Sequence, residues 1–166
     1  MTYTKLNPSE EITSFFICSS IYKECKSVHL YESMKDEVDT QYILDHIKKS
    51  HRKFYFPTKD PYQNQKTDVI IVPGRKFDSH MNRKGRGQGY YDRFLSKINS
   101  LEQNKKASDR GFSLKIGLCY ESQMVNQLRS KPHDISMDMV ITEKGIYKKR
   151  GLGINQVPFS YFITQW

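Results

Sequence analysis

The sequence is short of cysteine, of long apolar runs and of acids to balance its bases. Cys18, Cys25 and Cys119 are odd in number and widely separated, which excludes both a disulfide framework and a paired zinc motif and leaves reduced thiols. No run is long and apolar enough to cross a bilayer, and the first residues lack the basic-then-apolar layout of a secretory signal. A cytoplasmic location with no membrane partner is therefore expected. Acids number 18 against 27 Lys and Arg, a formal charge of +9, so the surface favours anionic partners. Nucleic acid, a phosphorylated cofactor and a polycarboxylate substrate all meet that condition. There is no internal repeat.

What is present is enough for one core. The 166 residues, with 11 Tyr and 9 Phe among them, are read as a single domain spanning 1–166. The chain is organised around Val69 to Leu95. Val69, Ile70, Ile71 and Val72 are β-branched neighbours without polar interruption, the pattern of a strand buried on both faces. Pro73 and Gly74 end it. After a basic and polar connection, Gly85, Gly87 and Gly89 alternate with Lys84, Arg86 and Gln88. Missing β-carbons let backbone amides approach an oxyanion, and the flanking cations can neutralise it. The spacing is neither the dinucleotide fingerprint nor a Walker loop, which needs a Gly-Lys-Ser/Thr ending. Tyr91, Phe94, Leu95, Ile98 and Leu101 then recur at helical spacing, so the loop feeds a helix over 90–104. Asp92 falls in its first turn, where it suits the helix dipole and can orient Arg93.

The remaining elements follow in order. Asn7, Pro8 and Glu10 mark a helix start, and Ile12, Phe15, Phe16 and Tyr22 extend it from about Pro8 to Cys25. Val28 to Tyr31 is a strand. A second helix, capped by Asp39 or Thr40, carries Ile43, Leu44 and Ile47, and Lys53 to Phe56 is a strand stopped by Pro57. Thr58 to Thr67 is a connection, and Lys105 to Gly111 another. Leu114 to Leu118 is a strand, Ser122 to Leu128 a short helix, Lys131 to Ser136 a turn, and Met137 to Thr142 a strand with Asp138 embedded. Gly145 to Trp166 shows no clear period. Strands alternating with helices predict a mainly parallel sheet covered by helices, with ligands beyond the strand ends.

Several polar groups are placed to act. Glu32 and Glu37 follow the first strand, and His133, Asp134 and Asp138 cluster near the last, where a carboxylate near phosphate can bring in magnesium. Tyr90 and Tyr91 point in different directions at the helix start, so that one packs inward and the other faces the cleft; the residues leave open which. Cys119 lacks a partner for nucleophilic chemistry and is read as core. His29, His46, His51 and His80 are scattered and read as structural or surface groups.

The stretch VPGRKFDSHMNRKGRGQGYYDRFL resembles the 5-formyltetrahydrofolate cyclo-ligase family, also called methenyltetrahydrofolate synthetases. LYESMKDEVDT at Leu30 to Thr40, the Phe56-Pro57 pair, KIGLCYESQ and KPHDISMDMVITEKG agree in the same order, from about Leu30 to Gly145. The resemblance implies a three-layer α/β/α sandwich with a mainly parallel central sheet, and an enzyme that uses ATP and Mg2+ to convert 5-formyltetrahydrofolate to 5,10-methenyltetrahydrofolate. In that chemistry the formyl oxygen is phosphorylated and N10 closes the ring as phosphate departs. Carried onto this chain, Arg83, Lys84, Gly85, Arg86, Gly87, Gln88 and Gly89 would cradle the ATP phosphates, with Arg93 nearby in a catalytic role. Glu37 would meet the folate, Tyr90 or Tyr91 would stand beside the formyl group, and Asp138 would contact magnesium. These groups would position and neutralise the transferring phosphoryl.

The chain departs from the family pattern in places. Its first helix is poor in Lys and Arg, and Thr58 to Thr67 is too short for the family's Gly-Ile-x-Glu-Pro motif. Lys84 replaces a leucine, Arg86 an aromatic, and Arg75 and Lys76 stand where small or apolar residues are usual. The leading expectation is a compact monomeric cyclo-ligase acting on a small-molecule folate. The alternatives are a non-catalytic phosphate or nucleic-acid binding protein on the same fold, and an ATP-dependent enzyme for another formyl or carboxyl substrate.

Overall fold

Asn7 opens the first element: its side-chain oxygen accepts a hydrogen bond from the Glu10 amide, while the Glu10 carboxylate accepts one from the Asn7 amide, a complete capping box with Pro8 at the first helical position. The structure, a computed structural model, describes residues 4–60, 67–103, 113–132 and 134–149. The first helical stretch is two helices, α1 (Pro8–Cys18) and α2 (Ser20–Glu24), where the sequence reads as one. Ser19 breaks it: its backbone is extended, its hydroxyl donates to the Phe16 carbonyl, and the same oxygen accepts from the Tyr22 amide.

Strand β1 (Ser27–His29) leads through a loop to α3 (Gln41–Lys48) and then β2 (Lys53–Tyr55). Ile43, Leu44 and Ile47 of α3 are buried as their spacing requires. Asp39 rather than Thr40 supplies the cap, its Oδ1 accepting from the Gln41 amide at 2.9 Å. Strand β3 (Val69–Val72) is buried throughout. Its alternating side chains divide between two cores, Val69 and Ile71 packing with α1, α2 and α3, and Ile70 and Val72 packing with Phe94, Leu95 and Ile98 of α4 (Tyr90–Gln103). This division makes the molecule three layers, helices on both faces of the sheet.

Between β3 and α4 the basic connection contains an unanticipated ribbon, β4 (Lys76–Asp78) and β5 (Arg83–Lys84), antiparallel with Lys76 opposite Lys84 and Phe77 opposite Arg83. Phe77 drives its formation. Its ring is fully buried against Gly117 of β6 (Leu114–Leu118), where a β-carbon would lie 2.4 Å from Phe77 Cε1. The region read as a helix from Ser122 is instead a 3₁₀ turn (Glu121–Gln123) followed by β7 (Met124–Val125), which pairs in parallel with β4. Leu101 of α4 is 45% exposed, and Glu102 takes the inward position, held by the Ser113 amide and the Lys115 ammonium.

Strands β8 (Met139–Thr142) and β9 (Gly145–Lys148) complete the main sheet, whose order is β2-β1-β3-β6-β8-β9 with only β9 antiparallel. From β1 the chain goes to β2 on one side, whereas from β3 it goes to β6 on the other. The carboxyl ends of β1 and β3 therefore flank the point where the winding reverses, the place at which parallel sheets open a crevice. Lys105 to Gly111, most of the Thr58 to Thr67 connection, His133 and the end of the Gly145 to Trp166 segment lie outside the described residues.

Candidate active site

A cavity of about 770 Å³ occupies that crevice, large enough for a cofactor-sized ligand. One wall is the loop after β1, with Tyr31, Glu32, Met34 and Glu37; the opposite wall is the glycine loop with Tyr90 and Tyr91; Gln127, Leu128, Arg129 and Lys131 close a third side.

The glycine loop keeps its shape through backbone that only glycine adopts easily. Gly87 has φ +92° and Gly89 φ +68°, and beside Gly87 nothing lies within 4 Å of where a β-carbon would be. The loop's two ends are braced by arginines. Arg83 is almost buried; its Nη1 donates to the Pro73 carbonyl and its Nη2 to Asp92 Oδ1, both at 3.0 Å. Arg93, from the first turn of α4, donates to the Gln88 carbonyl at 3.0 Å and does not line the cavity. Asp92 is thus the partner of Arg83 and not of Arg93. Lys84 lines the cavity as an exposed cation.

Arg86 reaches across the mouth. Its Nε donates to Glu37 Oε1 at 3.2 Å and its Nη2 to Asp36 Oδ1. Hydrogen bonding from Arg86 holds the Asp36 carboxyl below its usual range. Glu37 is the better anchored acid. Its Oε2 accepts from the Met34 amide at 2.9 Å, and its carbonyl accepts from the Tyr120 hydroxyl, which also meets Ser9 Oγ. Ser9 Oγ in turn accepts from the Asp39 amide, so α1 and the loop after β1 are joined through one hydroxyl.

Both tyrosines of the pair line the cavity, their rings edge to face at 5.3 Å. They differ at the hydroxyl. Tyr91 Oη is buried and has no hydrogen-bond partner, a costly condition for a polar group unless a ligand completes it. Burial raises its pKa, so it stays protonated and can donate.

A family model described as the 5-formyltetrahydrofolate cyclo-ligase family matches residues 58–143, more than half of the chain. The chain belongs to this family. The cyclo-ligase family's curated members include a Schizosaccharomyces pombe protein named "Probable 5-formyltetrahydrofolate cyclo-ligase", 27% identical with 81% of this chain and 86% of that protein covered. The Mus musculus 5-formyltetrahydrofolate cyclo-ligase is 25% identical, with 84% of each chain covered. Among solved structures, the Aquifex aeolicus 5,10-methenyltetrahydrofolate synthetase superposes with a TM-score of 0.67 at 26% identity, covering 86% of this chain and 81% of that one. The Mycoplasma pneumoniae 5,10-methenyltetrahydrofolate synthetase shares the fold, with a TM-score of 0.62 at 22% identity over 82% of this chain and 85% of that one.

The cyclo-ligase fold brings Glu37, both tyrosines and residues 83–89 to one cavity, but it does not bring Asp138 there. Asp138 precedes β8, and its Oδ2 accepts from the Lys115 amide at 2.8 Å near the start of β6, the end of the parallel strands away from the crevice. Its carboxylate ties two strands and does not fit a magnesium contact in the cavity. Among the described residues no group of three His, Cys, Asp or Glu is arranged to hold a metal. Glu32 and Asp134 do line the cavity. Sequence reasoning missed Tyr31, Met34, Arg129 and Lys131. The last two could have been found only by reading Met124 as a strand, because a helix there carries the following residues elsewhere. The thiol of Cys119, pushed up to about 12 mainly by burial, is inert and belongs to the core.

Proposed function

We propose that this chain is an ATP-dependent ligase that closes 5-formyltetrahydrofolate to 5,10-methenyltetrahydrofolate. The carrying observation is the single cavity in which the glycine loop, Glu37 and an unpartnered Tyr91 hydroxyl meet, in a chain of this family. ATP supplies a phosphoryl group that turns the formyl oxygen into a leaving group. The chain's own residues do the placing. Amides of the loop between Gly85 and Gly89, with Lys84 and Arg86, face the phosphates and neutralise their charge; the glycines fit because a side chain at Gly87 would project into the space a phosphate needs. Tyr91 Oη donates a hydrogen bond at the formyl end of the folate, and Glu37 accepts from the folate's N–H groups. Arg83, at the cavity wall, and Arg93, outside it, brace the two ends of the loop. The crevice setting limits the water that would otherwise compete with N10 for the activated carbon.

Magnesium is proposed to enter with the triphosphate, whose oxygens then provide most of its ligands. The chain is proposed to work as a monomer, and its three unpaired cysteines suit a reducing cytoplasm. The test is direct. Purified, folded protein given 5-formyltetrahydrofolate, ATP and magnesium should develop the near-ultraviolet absorbance of the methenyl product, and omission of ATP should abolish it. Absence of product at high enzyme and substrate concentrations overturns the assignment.

A further inference from the structure

The bridge at the cavity mouth joins two loops that the proposed function assigns to different ligands. Arg86 belongs to the phosphate loop and Glu37 to the folate wall, yet the two side chains are bonded to each other. A guanidinium has five N–H donors in a fixed plane. Two are engaged here, Nε with Glu37 and one on Nη2 with Asp36, which leaves three. The two acids are held very differently. Glu37 is 10% exposed, its carboxylate also held by the Met34 amide and its backbone carbonyl by the Tyr120 hydroxyl; Asp36 is 65% exposed, with Arg86 as its side-chain partner. An arriving phosphate meets the same Nη edge that Asp36 occupies, and an exposed ion pair is the weaker competitor.

We propose that Arg86 is a positioning residue that exchanges Asp36 for a nucleotide phosphate while retaining Glu37, so that filling the phosphate loop fixes the acid that receives the folate. Asp36 is then a placeholder, keeping the guanidinium turned toward Glu37 when no nucleotide is bound. Two consequences follow from charge and geometry. Asp36 opposes nucleotide binding, because its negative charge occupies the phosphate's place. Nucleotide and folate favour each other's binding, because each arrives at a side chain that the other has already ordered.

The inference rests on the proposed function, and one set of titrations separates the two. A non-hydrolysable ATP analogue and 5-formyltetrahydrofolate are titrated alone and each in the presence of the other, into wild-type protein and the Asp36→Asn, Arg86→Lys and Arg86→Gln variants, with melting temperature as the folding control. Asp36→Asn should bind the analogue about two- to fivefold more tightly. Wild-type protein should show mutual tightening of about fivefold or more, equal in both directions. Arg86→Gln should lose that coupling. Arg86→Lys should keep much of the analogue affinity and still lose coupling, because a point charge cannot hold phosphate and Glu37 in one plane. If the wild type binds neither ligand, the function falls and this inference with it. If both bind but independently, or if Asp36→Asn leaves the analogue affinity unchanged or weaker, or if coupling survives in Arg86→Lys, only the exchange role of Arg86 is overturned.

Discussion

The hydroxyl of Tyr91 sets function against stability at a single atom. Since it has no protein partner, Tyr91→Phe removes an unsatisfied group and should leave the melting temperature unchanged or raise it. Activity should fall by about tenfold or more if the hydroxyl donates to the substrate, and paired measurements of kcat/KM and thermal unfolding check both signs. Equal loss of stability and activity would mark the group as structural. At this scale the sequence was legible where chemistry depends on residue type, as at Gly87 and Gly89, whose positive φ favours glycine. It was illegible where charge had to be assigned a partner. Arg83, Arg93 and Asp138 look alike as candidates on paper, but backbone carbonyls and an amide claim them. Which tyrosine hydroxyl is left open to a ligand is a matter of packing and not of type.

The elements that the sequence did reveal are the long or strongly patterned ones: α3, α4, β3, β6 and β8 lie close to where periodicity places them. The small sheet β5-β4-β7 was invisible because each strand has only two or three residues and β7 pairs with a partner far away in the chain. One buried carboxylate holds this unit together. Asp78 accepts from the His80 and Asn82 amides, the Asn82 side chain and the Leu128 amide, so it fastens the ribbon to the segment carrying Arg129. Burial alone would raise its pKa, but these donors outweigh burial and lower it. A lowered folded-state pKa means stability that is present above the unfolded value of about 3.9 and is lost as pH falls through the folded value. Asp78→Asn should cost about 2–4 kcal/mol at neutral pH and flatten the loss of stability on acidification below about pH 4. Denaturant unfolding of both proteins at several pH values measures it, and parallel acid limbs would contradict it.

For the whole molecule, a formal charge of +9 favours anionic partners, and the crevice offers one built site for a small anionic ligand. Binding by counterion release falls steeply with salt, whereas a single enclosed folate makes few such contacts. The folate affinity should therefore change by less than about fivefold between about 50 and 200 mM salt, and any oligonucleotide affinity should fall by far more; fluorescence titration of each ligand across that range compares them. An equal salt dependence would favour a polyanion-binding surface. The winding of the sheet also bears on how such a chain can vary in length. The helix after β1 lies on one face and the helix after β3 on the other, while the link from β2 enters β3 at the end away from the crevice. Only Pro57, just past β2, reaches the cavity from that link, while the loop after β1 and the glycine loop hang from other strands, so residues beyond Pro57 can be lost over generations without moving those two walls. Such a lineage can shed sequence at the sheet's margin and still inherit the cleft.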